Sequence, residues 1–108
     1  MIATPLLETG ITDDARPEPR PDLRIHEIEG EALIFDPRTE DTHRLNSTAW
    51  FMFRTLDGIR TVQEIATLLT DHYDVNQQEA ISRTREFCLL LDSLGLLGDR
   101  HELDLPQE

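Results

Sequence analysis

The chain has 108 residues, 38% of them hydrophobic, and a formal net charge of −12. That length holds one domain with a small core, with polar tails left over. So acidic a surface excludes general affinity for nucleic acid or anionic membrane, which reward positive charge. The single cysteine, Cys88, excludes an internal disulfide.

Nothing approaches the ~20 consecutive apolar residues needed to span a bilayer. The N-terminus lacks the basic, apolar and small-residue succession of a signal peptide. The expected location is the cytoplasm. Residues 1–22 read as a flexible arm, because Pro17, Pro19 and Pro21 alternate with other residues, many of them charged, and remove backbone donors. Residues 23–98 form the domain, and 99–108 a frayed polar tail.

Leu23 to Glu29 mixes Leu23, Ile25 and Ile28 with charged residues, which predicts a half-buried strand. Gly30 supplies the positive φ of a turn. The run Ala32-Leu33-Ile34-Phe35 is apolar on both faces, as in a central strand. Asp36-Pro37-Arg38-Thr39 is a second turn, with Pro37 preset for its second position. Glu40 to Leu45 then alternates, with Thr42 and Arg44 on one face and His43 and Leu45 on the other. This third strand is short and polar, which places it at a sheet edge.

Three capped helices follow. Asn46 is a good N-cap for the first, whose Ala49, Phe53 and Leu56 point at one core with Trp50 and Met52 on the flanks. Gly58 ends it. Thr61-Val62-Gln63-Glu64 is a capping box for the second, with Val62, Ile65, Ala66 and Leu69 as its buried stripe. Asn76-Gln77-Gln78-Glu79 repeats the device for the third, which runs to about Leu94 before Gly95 stops it. Leu96 and Leu97 pack back as an apolar hook. On the third helix Ala80, Thr84, Phe87, Leu91 and Leu94 share the core face. Ile81 and Cys88 lie to one side with Arg85 beyond, and Leu89 lies nearly opposite the core. These residues make either a candidate groove or a wide core stripe.

The elements together predict an α+β domain of winged helix-turn-helix type, a three-stranded antiparallel sheet followed by three helices. No catalytic constellation is present. His26, His43, His72 and His101 are scattered without metal-ligand spacing. Cys88 sits among apolar neighbours with no base nearby, and there is no glycine-rich phosphate loop. No enzyme activity, metal or cofactor is expected. A winged helix raises DNA binding, but the third helix sets Glu79, Glu86 and Asp92 against Arg83 and Arg85.

Leu45-Asn46-Ser47-Thr48-Ala49, Leu56-Asp57-Gly58, Thr61-Val62-Gln63-Glu64-Ile65-Ala66, Tyr73-Asp74-Val75 and Leu94-Gly95-Leu96-Leu97 occur in an order and spacing that resemble the PqqD-like family, the small domains known as RiPP recognition elements. The likeness spans residues 23–98 and is closer to stand-alone members serving lasso or other modified peptides than to those of pyrroloquinoline quinone biosynthesis. It implies a non-catalytic domain that binds the leader of a ribosomally made precursor and presents its core to a modifying enzyme, such as a radical SAM enzyme or a peptidase. The leader would add as a strand to the edge formed by Asp41, Thr42, His43, Arg44 and Leu45. Ile81, Arg85, Cys88 and Leu89 would wall the adjoining groove.

The physics of an edge strand agrees with that expectation, because unpaired backbone groups give affinity with little sequence demand. Two alternatives remain at this stage, a winged-helix DNA-binding regulator and a protein–protein scaffold that buries Leu89, Leu96 and Leu97. An open edge also permits a homodimer.

Overall fold

Glu29 and Gly30 both take positive φ, 52° and 84°, and turn the first strand into the second through two residues. That backbone hand matches the twist of the strands it joins, although glutamate is an unfavoured residue for it. In the computed structural model, which describes residues 13–98, the elements are β1 (Arg24–Ile28), β2 (Glu31–Asp36), β3 (Asp41–Leu45), α1 (Ser47–Arg54), α2 (Val62–His72) and α3 (Gln77–Ser93). The sheet is antiparallel with the order β1-β2-β3. The domain is therefore α+β, with the sheet preceding the helices.

β2 is the central strand and is covered on one face. Ala32, Ile34 and Asp36 are buried, while Leu33 and Phe35 on the other face are half-buried and stay outside the core cluster. The core is built from Ile34 with Val62, Ile65 and Leu69 of α2, Leu91 of α3 and Leu96 of the hook, all nearly inaccessible. α1 is the helix packed against β2 and β3, and α2 packs along α3.

The caps form as the sequence predicts, with one exception. Asn46 Oδ1 accepts from Ala49 N at 2.9 Å. The Thr61/Glu64 box closes in both directions, at 2.9 and 3.1 Å. Asn76 Oδ1 accepts from Glu79 N at 2.8 Å, but the Glu79 carboxylate accepts from Arg83, four residues on. A cationic neighbour at i+4 draws the carboxylate away from the cap.

Three other expectations are corrected. β1 is exposed along its whole length, with Ile25 and Ile28 each 47% accessible. Leu94 is the C-cap of α3 and 39% accessible, because the helix ends before it can turn Leu94 onto the core face. Within the supposed flexible arm, residues 13–20 form a strap held by backbone hydrogen bonds, while residues 1–12 of the arm lie outside the described residues.

The strap works through its carbonyls, which prolines keep although they lack the N–H. The first N–H groups of a helix have no partner within it. Here Ala15 O accepts from Val62 N at 3.0 Å, Asp13 O accepts from Gln63 N at 3.2 Å, and Thr61 Oγ1 takes Glu64 N. Pro17 O accepts from Gly58 N at 3.0 Å. Gly58 has φ +77°, and a Cβ there would lie 2.7 Å from Glu18 Oε1, so both the backbone and the space call for glycine. Further along, Glu18 O accepts from Gly98 N and Leu96 O accepts from Arg20 N.

Arg20 closes the strap. Its side chain is 6% exposed, and each of its five N–H donors has an acceptor. Two donate to Asp36 at 2.7 and 3.0 Å, two to Asp22 at 2.8 and 3.1 Å, and one to Gly95 O at 2.7 Å. One guanidinium thus ties the strap to the end of β2 and to the turn after α3.

Candidate functional site

β3 owes its position to chain order. The four residues Pro37–Glu40 fold it back on β2, with Glu40 at φ 66°, and Asn46 then starts α1 without a connecting loop. One side of β3 pairs with β2 over Asp41–Leu45. Among the described residues nothing pairs with its other side. Five residues at about 3.3 Å each give an open backbone edge of roughly 17 Å. Along it, alternate residues turn an N–H and a C=O outward, since antiparallel pairing uses only every second residue for β2.

The side chains of this edge divide as the alternation predicts. Leu45 is buried and His43 half-buried on the helix-facing side, opposite Ala32 and Ile34. Asp41, on the same side, is exposed at the open end. Thr42 and Arg44 face away from the helices. Arg44 reaches Glu31 at 3.0 and 3.3 Å and remains 76% exposed. Backbone groups, a partly covered apolar flank and one exposed cation are what the edge can offer a ligand.

The four residues expected on the wall of α3 behave differently from one another. Ile81 is half-buried against the core. Leu89 is 38% exposed. Arg85 forms an ion pair with Asp13 of the strap. Cys88 is fully buried, and burial pushes its thiol up to about 12. Cys88 therefore belongs to the core and cannot line a surface. The stripe that reaches the surface is Ile81, Arg85 and Leu89, spaced by four residues, with Asp13 laid on its middle. Periodicity could not separate a wide core stripe from a groove, and the burial of Cys88 decides for the former at that position.

Sequence reasoning missed two features. The periodicity of α1 marks a core helix but does not show that it seats against β2 and β3. The prolines of the strap suggest a loose arm, and the sequence alone does not bring the opposite charges of Asp13 and Arg85 together across 72 positions. Among the described residues no group of three or more His, Cys, Asp or Glu side chains could hold a metal ion. Nor is any helix there long and apolar enough to cross a membrane.

Residues 31–97 match the family described as Coenzyme PQQ synthesis protein D (PqqD). The chain belongs to the PqqD family. The match runs from the first residue of β2 to the hook, so it takes in β3, all three helices and Leu97. Two solved structures share the PqqD-family fold. One is TbiB1 in complex with the TbiA(beta) leader peptide, at 18% identity and a TM-score of 0.69, covering 74% of this chain and 93% of that one. The other is lasso peptide synthetase B1 complexed with its leader peptide, at 21% identity and a TM-score of 0.70, covering 78% of this chain and 99% of that one. No curated protein matches this PqqD-family chain by sequence.

Proposed function

We propose that this chain binds the leader segment of a ribosomally synthesised precursor peptide and delivers it, without catalysing a reaction itself, to a modifying enzyme such as a radical SAM enzyme or a peptidase. The observation that carries this reading is the unpaired edge of β3 in a PqqD-family domain whose two structural relatives were solved with leader peptides. The leader adds as a fourth strand along Asp41–Leu45. Its backbone pairs with the edge, and its inward side chains lie beside His43 and Leu45. Ile81, Leu89 and the Arg85–Asp13 pair flank it from α3, and Cys88 takes no part. Ordering a flexible leader costs about 2–5 kcal/mol, so a dissociation constant between high nanomolar and micromolar is expected.

The ion pairs of α3 weigh against a DNA-binding role. Arg83 is bonded to Glu79 and Arg85 to Asp13, so both cations of α3 are already engaged by carboxylates.

The test is calorimetric titration with the leader of the precursor encoded beside this chain, using Thr42→Pro and His43→Pro. One of these two residues donates its N–H to β2 and the other outward. The outward proline should weaken the leader at least tenfold while leaving stability nearly intact, and the inward one should destabilise the sheet. Absence of binding at about 100 μM leader overturns the proposal.

A further inference from the structure

The three side chains that β3 turns toward the helices form a graded row beside its open edge. Leu45 is buried, His43 is half-buried and Asp41 is exposed. Residues directly opposite one another on paired strands point to the same face, with Cβ atoms about 5 Å apart. The side chains of a guest strand that lie opposite these three are therefore spaced by two residues. They meet a covered apolar side chain, a half-covered ring and a carboxylate in turn, whichever way the guest runs.

The carboxylate end of this row is short of cations. Arg20, bonded to the register partner of Asp41, has all five donors engaged by Asp36, Asp22 and Gly95 O. Arg38 lies 3.5 Å from Asp22. Among the described residues no ion pair reaches Asp41 or its neighbour Glu40, both of them exposed. Elsewhere along the site the cations are matched, Arg44 by Glu31 and Arg85 by Asp13. The unmatched charge of the site is thus negative and sits at one end, on a chain that carries −12 as a whole.

We propose that the leader bound here carries a lysine or arginine opposite Asp41, with apolar side chains two and four residues along from it, opposite His43 and Leu45. The apolar pair supplies affinity through burial against the covered end of the edge. The cation fixes the register, because a slip of two residues would set it against His43 and leave Asp41 facing an apolar side chain. The field of the acidic chain draws a basic segment toward the edge and repels an acidic one. This inference rests on the leader-binding reading above and adds to it the chemistry of the leader.

The test is calorimetric titration of the full chain with the leader of the precursor encoded beside it, at about 0.15 and 0.5 M salt. At the lower salt Asp41→Asn should weaken the leader about two- to fivefold and Asp41→Lys at least about fivefold. The higher salt should shrink both differences. Glu27→Lys makes the same change of charge on β1, about 14 Å from the guest and beyond the Debye length, and should alter affinity less than about twofold. The basic residues of the leader are then changed to glutamine one at a time. One of these changes should weaken binding to the unsubstituted chain and leave binding to the Asp41→Asn chain as it was. A leader that binds without a lysine or arginine, or that responds to Asp41 no more than to Glu27, overturns the proposal and leaves strand addition standing. A leader that does not bind at all removes the strand-addition reading, and this proposal falls with it, so binding itself tells the two failures apart.

Discussion

Replacing Arg20 with methionine tests whether the strap is part of the folded domain. Methionine keeps much of the side chain's bulk and removes every donor. Asp36, 1% exposed, would then keep the Arg38 backbone N–H at 2.9 Å but no cation. Removing one partner of a buried ion pair costs about 3–5 kcal/mol. The Asp22 side of the cluster is 36% exposed, where water can replace the lost bonds. We therefore expect the lower end for Arg20→Met, about 3 kcal/mol. At about 4–8 °C per kcal/mol for a domain of this size, the midpoint should drop by about 12–24 °C.

Urea and thermal unfolding followed by the fluorescence of Trp50, the only tryptophan and a buried one, would measure the loss. Arg44→Met is the control, since its ion pair is exposed and should change stability by no more than about 0.5 kcal/mol. An acid titration separates charge from packing. The Arg20 guanidinium holds the Asp36 carboxyl down to about 2. A depressed carboxylate contributes stability that is complete above its unfolded value of about 3.9 and is lost as pH falls toward 2. Without Arg20 the native and unfolded values of Asp36 draw together, so the part of the stability lost between about pH 4 and 2 should shrink. A variant within about 1 kcal/mol of the parent, with an unchanged acid limb, would refute the account of Arg20 as the strap's closure.

Gly58→Ala should destabilise by about 1–2 kcal/mol in the same unfolding assay, because alanine is strained at φ +77° and its Cβ meets Glu18. Adding Glu18→Ala should restore only part of the loss, since the backbone term remains. Cys88, with its thiol raised to about 12, should react with iodoacetamide at pH 8 at least about a hundredfold more slowly in the native chain than in urea. Equal rates would show that Cys88 is not a core residue.

Local signals carried most of the fold. Asn46, Thr61 with Glu64, and Asn76 marked three helix starts, and Gly30 and Gly95 take positive φ where an element ends; Gly58, expected to end α1, instead lies beyond its C-cap Thr55. Each of these signals acts within a few residues, so no tertiary knowledge was needed to read it. The strap was illegible for the opposite reason. Prolines advertise the donors they lack, whereas Ala15 and Pro17 act as acceptors for residues more than 40 positions away. Leu94 as a core residue, and Cys88 as a wall of the groove, both failed by geometry at the margin of a stripe. An ideal helical period cannot tell which flank a neighbour will cover, and here the core took Cys88 and released Leu94. On the edge itself, the alternation of Thr42 and Arg44 against His43 and Leu45 was readable, because a strand's period of two leaves no ambiguity once one residue is placed.

The sheet has two edges, and burial decides which one a guest strand should choose. Exchanging backbone hydrogen bonds with water for bonds with a peptide gains only about 0.5–1.5 kcal/mol each, and either edge offers that equally. The difference lies beneath them. α1 packs against β2 and β3, where Leu45 is buried and His43 half-buried. β1 is exposed on both faces, and even Ile25, which shares the inner side with Ile34, is 47% accessible. A peptide beside β3 can bury its inward side chains against a helical layer, while one beside β1 would leave them in water. Apolar burial at about 25 cal/mol per Å² then favours β3 by roughly 1.5–3 kcal/mol for each sizeable side chain covered. In a two-dimensional NMR titration the amides of Asp41–Leu45 should therefore shift and gain exchange protection when leader is added, and those of Arg24–Ile28 should not. Protection appearing on β1 instead would mean that the guest is held by contacts other than the covered flank of β3.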